Sequence, residues 1–219
     1  MIDTARLKAW LRRYAELIHV HKDELTALDA TIGDADHGTN MDRGMQAVLH
    51  ILGDEEDANE NIRPAELLKQ VAMVLISKVG GASGPLYGTA FLRMAQAVGE
   101  KEQLNEEDIA QMFAAGLNGM KERGKADLGD KTMVDAYARA VSALSSSLAE
   151  GFPLKESLAQ AISAAKEGSD QTIPLIARKG RASYLGERSR GHRDPGSLST
   201  VYLFEAALVF AGEGEINHA

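Results

Sequence analysis

Apolar residues recur at helical spacing along nearly the whole of this chain, and that pattern limits the fold more than any other feature of the sequence. Leu7, Trp10, Leu11, Tyr14, Leu17 and Ile18 repeat at i, i+3, i+4 and i+7 behind Asp3 or Thr4 as N-cap, which predicts an opening helix. A short helical piece is expected over 22–28, then helices over 40–52 and 65–79, the latter started by Pro64. Another runs out of a glycine-rich turn to residue 98, and one starts at a capping box, Asn105-Glu-Glu-Asp108, and reaches residue 123. A long helix to residue 149 follows, then one over 154–176 that Pro174 should end or kink. The final helix, 197–211, is almost wholly apolar and is expected among the most buried elements. Segment 53–63 reads as a polar surface connection, and the last eight residues read as frayed. No run alternates at period two, so the expectation is an all-α single domain over 1–219 with about eight helices and no internal repeat.

Charge and composition narrow the function. A formal charge of −8 argues against a general nucleic-acid binder, whose footprint is a basic domain, but leaves room for a nucleotide held through a cation. The absence of Cys removes disulfides and is compatible with a reducing compartment. The N-terminus breaks its apolar residues with charges, unlike a secretory leader, and no apolar run approaches the ~20 residues of a membrane span. A soluble cytoplasmic protein is the expectation.

The stretch from Asp29 to Asn40, Asp-Ala-Thr-Ile-Gly-Asp-Ala-Asp-His-Gly-Thr-Asn, makes poor core. Asp29, Asp34 and Asp36 would repel one another without a cation, and oxygen-only ligands select a hard ion, Mg²⁺ before Ca²⁺. The spacing does not fit an EF-hand loop, and a three-carboxylate set leaves coordination positions open for phosphate oxygens. An Asx-rich turn with N-caps is the plain structural alternative. A second loop, Gly80-Gly-Ala-Ser-Gly-Pro-Leu-Tyr-Gly88, runs into a helix and offers either tight helix packing or backbone N–H groups for a phosphate, with Ser83 as cap or donor. It lacks the Gly-Lys-Ser/Thr of a P-loop. A third, Arg123 to Met133, carries Asp130 and Thr132 as candidate caps. Between 177 and 196, six basic side chains stand against two acidic ones among glycines 180, 186, 191 and 196. A charge run is ordinarily a solvated face, but this one is too long for a simple helix connection and has the character of a lid.

Taken together and in this order, the four loops resemble the L subunit, or L domain, of dihydroxyacetone kinases, across nearly the whole chain. The resemblance implies an antiparallel barrel of eight amphipathic helices with ADP or ATP and two Mg²⁺ ions at one end. It implies that Asp29, Asp34 and Asp36 hold the metal and that His37, Gly38, Thr39 and Asn40 lie beside the nucleotide phosphates. Ala82 and Ser83 match the phosphate turn, and Gly124 and Met133 the adenine and ribose side. Arg181 and the Asp194-Pro195-Gly196 corner match the lid, with Arg181 stabilising charge on the transferring group. Pro174 and the basic pair Arg190 and Arg193 depart from the family's lid. The partners implied are a K subunit that holds dihydroxyacetone and a phosphotransferase-system phosphocarrier that rephosphorylates bound ADP, and a homodimer is a further expectation. Two other functions remain open on the sequence: a subunit of an ATP-dependent kinase of dihydroxyacetone or a related small ketose, and a non-catalytic nucleotide-sensing module.

Overall fold

The helical spacing is realised as nine α-helices and two 3-10 helices in a computed structural model that describes residues 1–53 and 62–212. The helices are α1 (Thr4–Val20), α2 (Lys22–Ile32), α3 (His37–Leu52), α4 (Pro64–Lys78), α5 (Ser83–Val98), α6 (Glu106–Gly124), α7 (Met133–Ala149), α8 (Leu154–Gln171) and α9 (Pro195–Ala206). One 3-10 segment, Arg181–Ser189, kinked at Gly186 where φ is 55°, forms the lid, and the other, Ala207–Ala211, follows α9 directly. Among the described residues there is no strand, only an isolated bridge between Ile2 and Leu104. No described helix is long and apolar enough to cross a membrane. The connection expected over 53–63 falls mostly outside the described residues, as does the C-terminal end beyond residue 212.

Local chemistry sets the helix starts. Asp3 accepts the amide of Arg6 to cap α1, and Asn105 and Asp108 exchange side-chain and backbone bonds at the head of α6. Thr132 and Asp135 do the same for α7, while Pro64 and Pro195 occupy first-turn positions where a missing N–H costs nothing.

Neighbouring helices then close a ring in the order α1, α3, α4, α5, α6, α7, α8, α9 and back to α1, and α2 lies across one end against α3, α9 and the lid. Eight helices therefore form the barrel, as expected, and the ninth helps to build the site. The interior is aromatic. Trp10 of α1 meets Phe91 of α5 at 5.6 Å, Phe113 of α6 at 5.6 Å and Phe210 at 5.5 Å between ring centroids, and Phe204 of α9 meets Phe113 and Tyr137. The Trp10 indole also donates to the Leu203 carbonyl at 3.0 Å, so its one polar atom is satisfied inside the core. α9 is buried at all but one of its positions, as its largely apolar sequence predicts, with Ser197, Ser199 and Thr200 as its buried polar groups.

Four boundaries differ from the sequence expectation, one of them the start of α3, which lies at His37 and not at residue 40. α2 continues to Ile32 instead of stopping at residue 28, because Asp29 need not leave the helix: its carboxylate finds backbone donors in the next one. α8 stops at Gln171, with the Thr172 hydroxyl bonded back to the Ser169 carbonyl, and Pro174 disfavours helix at the residue before it. The last helix begins two residues early, at Pro195, and tightens to 3-10 geometry after Ala206.

Candidate functional site

The lid, α2 and the starts of α3, α5, α7 and α9 enclose a cavity of about 440 Å³, within the range of small-molecule sites. One wall is acidic. Asp29 sits in the last turn of α2, nearly buried, and its Oδ2 accepts the amides of Asp36 at 2.8 Å and His37 at 3.1 Å, so it caps α3 from a distance. Asp36, the residue at the N-cap position, makes no side-chain cap of its own. Gly33 stands where any side chain would collide: an added Cβ would lie 2.0 Å from Asp29 Oδ1. Ala35 completes the turn in the left-handed region at φ 60°, an uncommon conformation for a residue with a side chain.

This turn brings carboxylate oxygens of Asp29, Asp34 and Asp36 within 4.8 Å of one another. Asp29 Oδ2 is committed to backbone amides, while Oδ1 lies beside the side-chain-free Gly33, an all-oxygen donor set of the kind hard divalent ions take. The residues present therefore fit magnesium. Arg181, at the head of the lid helix, places Nη2 3.0 Å from Asp34 Oδ2. Both side chains are well exposed, 67% and 36%, so the pair contributes little to stability and can separate.

His37 lies on the second wall. Its Nε2 is 2.9 Å from Ser199 Oγ and its Nδ1 is 3.1 Å from Ser83 Oγ, and Ser199 continues to Tyr87 and Thr200. Burial lowers the imidazole pKa from 6.5 to about 4 against the pull of Asp29 and Asp36, so the ring is neutral at pH 7. Ser83 thus serves as the first residue of α5 and a partner of His37, not as the cap of its helix. The N-cap position falls to Ala82, which has no side-chain acceptor, so the first amides of α5 lack a side-chain partner at the cavity wall. Gly80 admits the Asn40 side chain, whose atoms would lie 2.7–2.8 Å from an added Cβ. Gly124 at the end of α6 and apolar groups from Ile32, Leu86, Met120 and Met133 also line the cavity. Asp194 caps α9 through the Ser197 amide at 2.6 Å, and burial pushes its carboxyl up to about 7.

Residues 31–209 match the DAK2 domain. The chain belongs to the DAK2 domain family. It is 43% identical over 212 residues to the PEP-dependent dihydroxyacetone kinase, ADP-binding subunit DhaL, of Escherichia coli (strain K12), covering 97% of this chain and 99% of that one. It is 32% identical over 200 residues to the L-erythrulose 1-kinase of Mycolicibacterium smegmatis, of which it spans 34%. Among solved structures, the dihydroxyacetone kinase from C. freundii in complex with AMP-PNP and Mg²⁺ superposes with a TM-score of 0.70 at 25% identity, and this chain spans 33% of it.

In this DAK2 domain the structure gathers Asp29, Asp34, Asp36, His37, Asn40, Ala82, Ser83, Gly124, Met133, Arg181, Asp194, Pro195 and Gly196 around one cavity. Gly38 and Thr39 fall outside it. The space of a Gly38 side chain is filled by the Lys22 carbonyl, 1.9 Å from an added Cβ, so this glycine serves the packing of α3 on α2, and Thr39 is exposed on α3. Arg123, Lys131 and Lys179, which are not among the site residues expected from the sequence, also line the DAK2 cavity. The signal available for Lys131 was its place in the third glycine- and aspartate-rich loop.

Proposed function

We propose that this DAK2 domain, taken as one unit over 1–219, is the nucleotide-binding subunit of a phosphoenolpyruvate-dependent dihydroxyacetone kinase. It would carry a phosphoryl group from a phosphocarrier protein, through tightly bound ADP, to dihydroxyacetone held on a K subunit. The observation that carries this reading is the meeting of three aspartates, a glycine turn at a helix N-terminus and a lid arginine in one cavity, in a chain nearly coextensive with a relative named as an ADP-binding subunit.

Asp29, Asp34 and Asp36 would hold two Mg²⁺ ions, which would supply positive charge to neutralise the phosphates. The chain's own contribution is positioning and electrostatics, since phosphoryl transfer asks little covalent chemistry of a protein. Asp29 fixes the acidic turn by holding the amides of Asp36 and His37. Amides at the start of α5 receive phosphate oxygens, with Ser83 oriented by neutral His37. The apolar groups around Gly124 and Met133 accept the base, and Asn40 closes the site beneath the glycine turn. Arg181 leaves Asp34 to stabilise charge on the transferring group, and the lid from Arg181 to the Asp194 corner excludes water. A cytoplasmic location and a homodimer belong to the same reading.

A subunit of an ATP-dependent kinase of a small ketose is the second reading, favoured by the likeness to L-erythrulose 1-kinase. One assay separates them: phosphorylation of dihydroxyacetone with a K subunit, driven either by ATP or by a phosphoenolpyruvate-fed carrier chain. The proposal expects ADP to survive gel filtration with the protein, the carrier chain to support turnover and ATP alone to support little. Arg181→Ala should lower carrier-driven turnover by ~10³. Rapid turnover on ATP, with nucleotide exchanging each cycle, would favour the second reading.

A further inference from the structure

Lys131 is among the most deeply buried large side chains of the molecule at 1% exposure, lines the cavity, and has no part in the chemistry above. Fully buried lysines are rare unless their charge is matched. Its backbone is left-handed, φ 63°, a conformation a lysine adopts only when its surroundings impose it. The ammonium donates to the Thr172 carbonyl at 2.6 Å and to the His192 carbonyl; burial draws its pKa below the usual lysine range, against the opposing pull of Asp194 and Asp135. The Thr172 carbonyl belongs to the C-cap of α8, where a cation is favoured by the helix dipole.

The neighbouring residue holds the other side of the lid. The Asp130 carbonyl accepts the Arg178 amide at 3.1 Å, where the chain rises into the lid. Where it returns, Lys131 holds His192, the Gly191 amide donates to the Ile173 carbonyl at 2.8 Å, and the Asp194 amide donates to the Thr172 hydroxyl at 3.0 Å. Two consecutive residues of the loop before α7 thus grip both legs of the lid, and one of the two grips is a buried cation.

We propose that Lys131 is a positioning residue that anchors the base of the lid, so that Arg181 is held over the acidic turn and bound nucleotide escapes slowly. The consequence for nucleotide rests on the function proposed above; the anchoring does not.

Amide exchange of the full chain and release of a fluorescent ADP analogue test this together. In nucleotide-free wild-type protein, the amides of Arg178, Gly191 and Asp194 should exchange about tenfold or more slower than those of the lid crest at 184–188. In Lys131→Met and Lys131→Gly that protection should fall by about tenfold, the effect of losing charge-assisted bonds, while α4, α5 and α6 keep theirs, and analogue release should accelerate by a similar factor. Glycine takes the left-handed backbone without strain. Protection that survives in Lys131→Gly would show that the backbone and not the ammonium fixes the legs, and would overturn the proposal. Legs that exchange as fast as the crest in the wild type would overturn the anchor whether or not the variants fold. Loss of leg protection in a protein that never binds the analogue would leave the anchor standing and remove the nucleotide reading.

Discussion

At the scale of single residues, His37 and Asp194 carry opposite pH signatures within one site. Burial lowers the pKa of His37 from 6.5 to about 4, so between those values the unfolded chain holds a proton that the native state does not. Its stabilising contribution is complete above pH 6.5 and is lost on acidification toward pH 4. Asp194, raised from 3.8 to about 7, takes up its proton in the native state first, and so stabilises the fold as pH falls through the same window. The two trends offset each other in the wild type, and removing His37 uncovers the second. In EDTA, the stability advantage of wild type over His37→Gln, measured by urea unfolding, should shrink by about 3 kcal/mol between pH 7 and pH 4. A constant difference would mean that His37 is charged or solvated in the folded state. The aspartates were legible because three carboxylates within eight residues are a local signal. Lys131 was not, because its acceptors lie 41 and 61 residues away and only the closed fold brings them to it.

Among the elements, helix interiors were legible and helix ends were not. The apolar face of α1 is written into its own sequence, and the structure buries Leu7, Trp10, Leu11, Tyr14 and Ile18 as expected. The end of α2 and the start of α3 depend on Asp29 reaching seven and eight residues ahead to the amides of Asp36 and His37, which no periodicity reports. Gly38 shows the same limit. Its company of Asp36, His37 and Asn40 suggests a phosphate loop, yet its role is to bring α3 against the Lys22 carbonyl and the Thr26 hydroxyl of α2. In an open helix Gly→Ala gains about 1 kcal/mol. Here the added methyl meets backbone, so Gly38→Ala should destabilise the protein by about 2–3 kcal/mol in thermal or urea unfolding and blunt metal binding by shifting the acidic turn. A stabilised Gly38→Ala would refute the close packing of α2 on α3.

At the scale of the whole molecule, the ring of helices around an aromatic core serves to hold four distant segments at one end. Residues near 30, 80, 130 and 190 converge there, because α9 returns from the lid into the barrel and packs against α1, α7 and α8. Apolar spacing predicts about eight helices, whereas the barrel itself was implied by the family resemblance; spacing cannot report the closure of the ring, since contacts between α9 and α1 span nearly the entire chain. The proposed function rests on one point above all: that ADP would bind through a divalent cation held by Asp29, Asp34 and Asp36. The direct test is calorimetric titration of nucleotide-free protein with ADP, in Mg²⁺ and in EDTA, for wild type and Asp34→Asn, with far-UV circular dichroism as the control for folding. Wild type should bind only when Mg²⁺ is present, and Asp34→Asn should not bind at unchanged helix content. Equal ADP affinity with and without Mg²⁺, or in the two proteins, would contradict it.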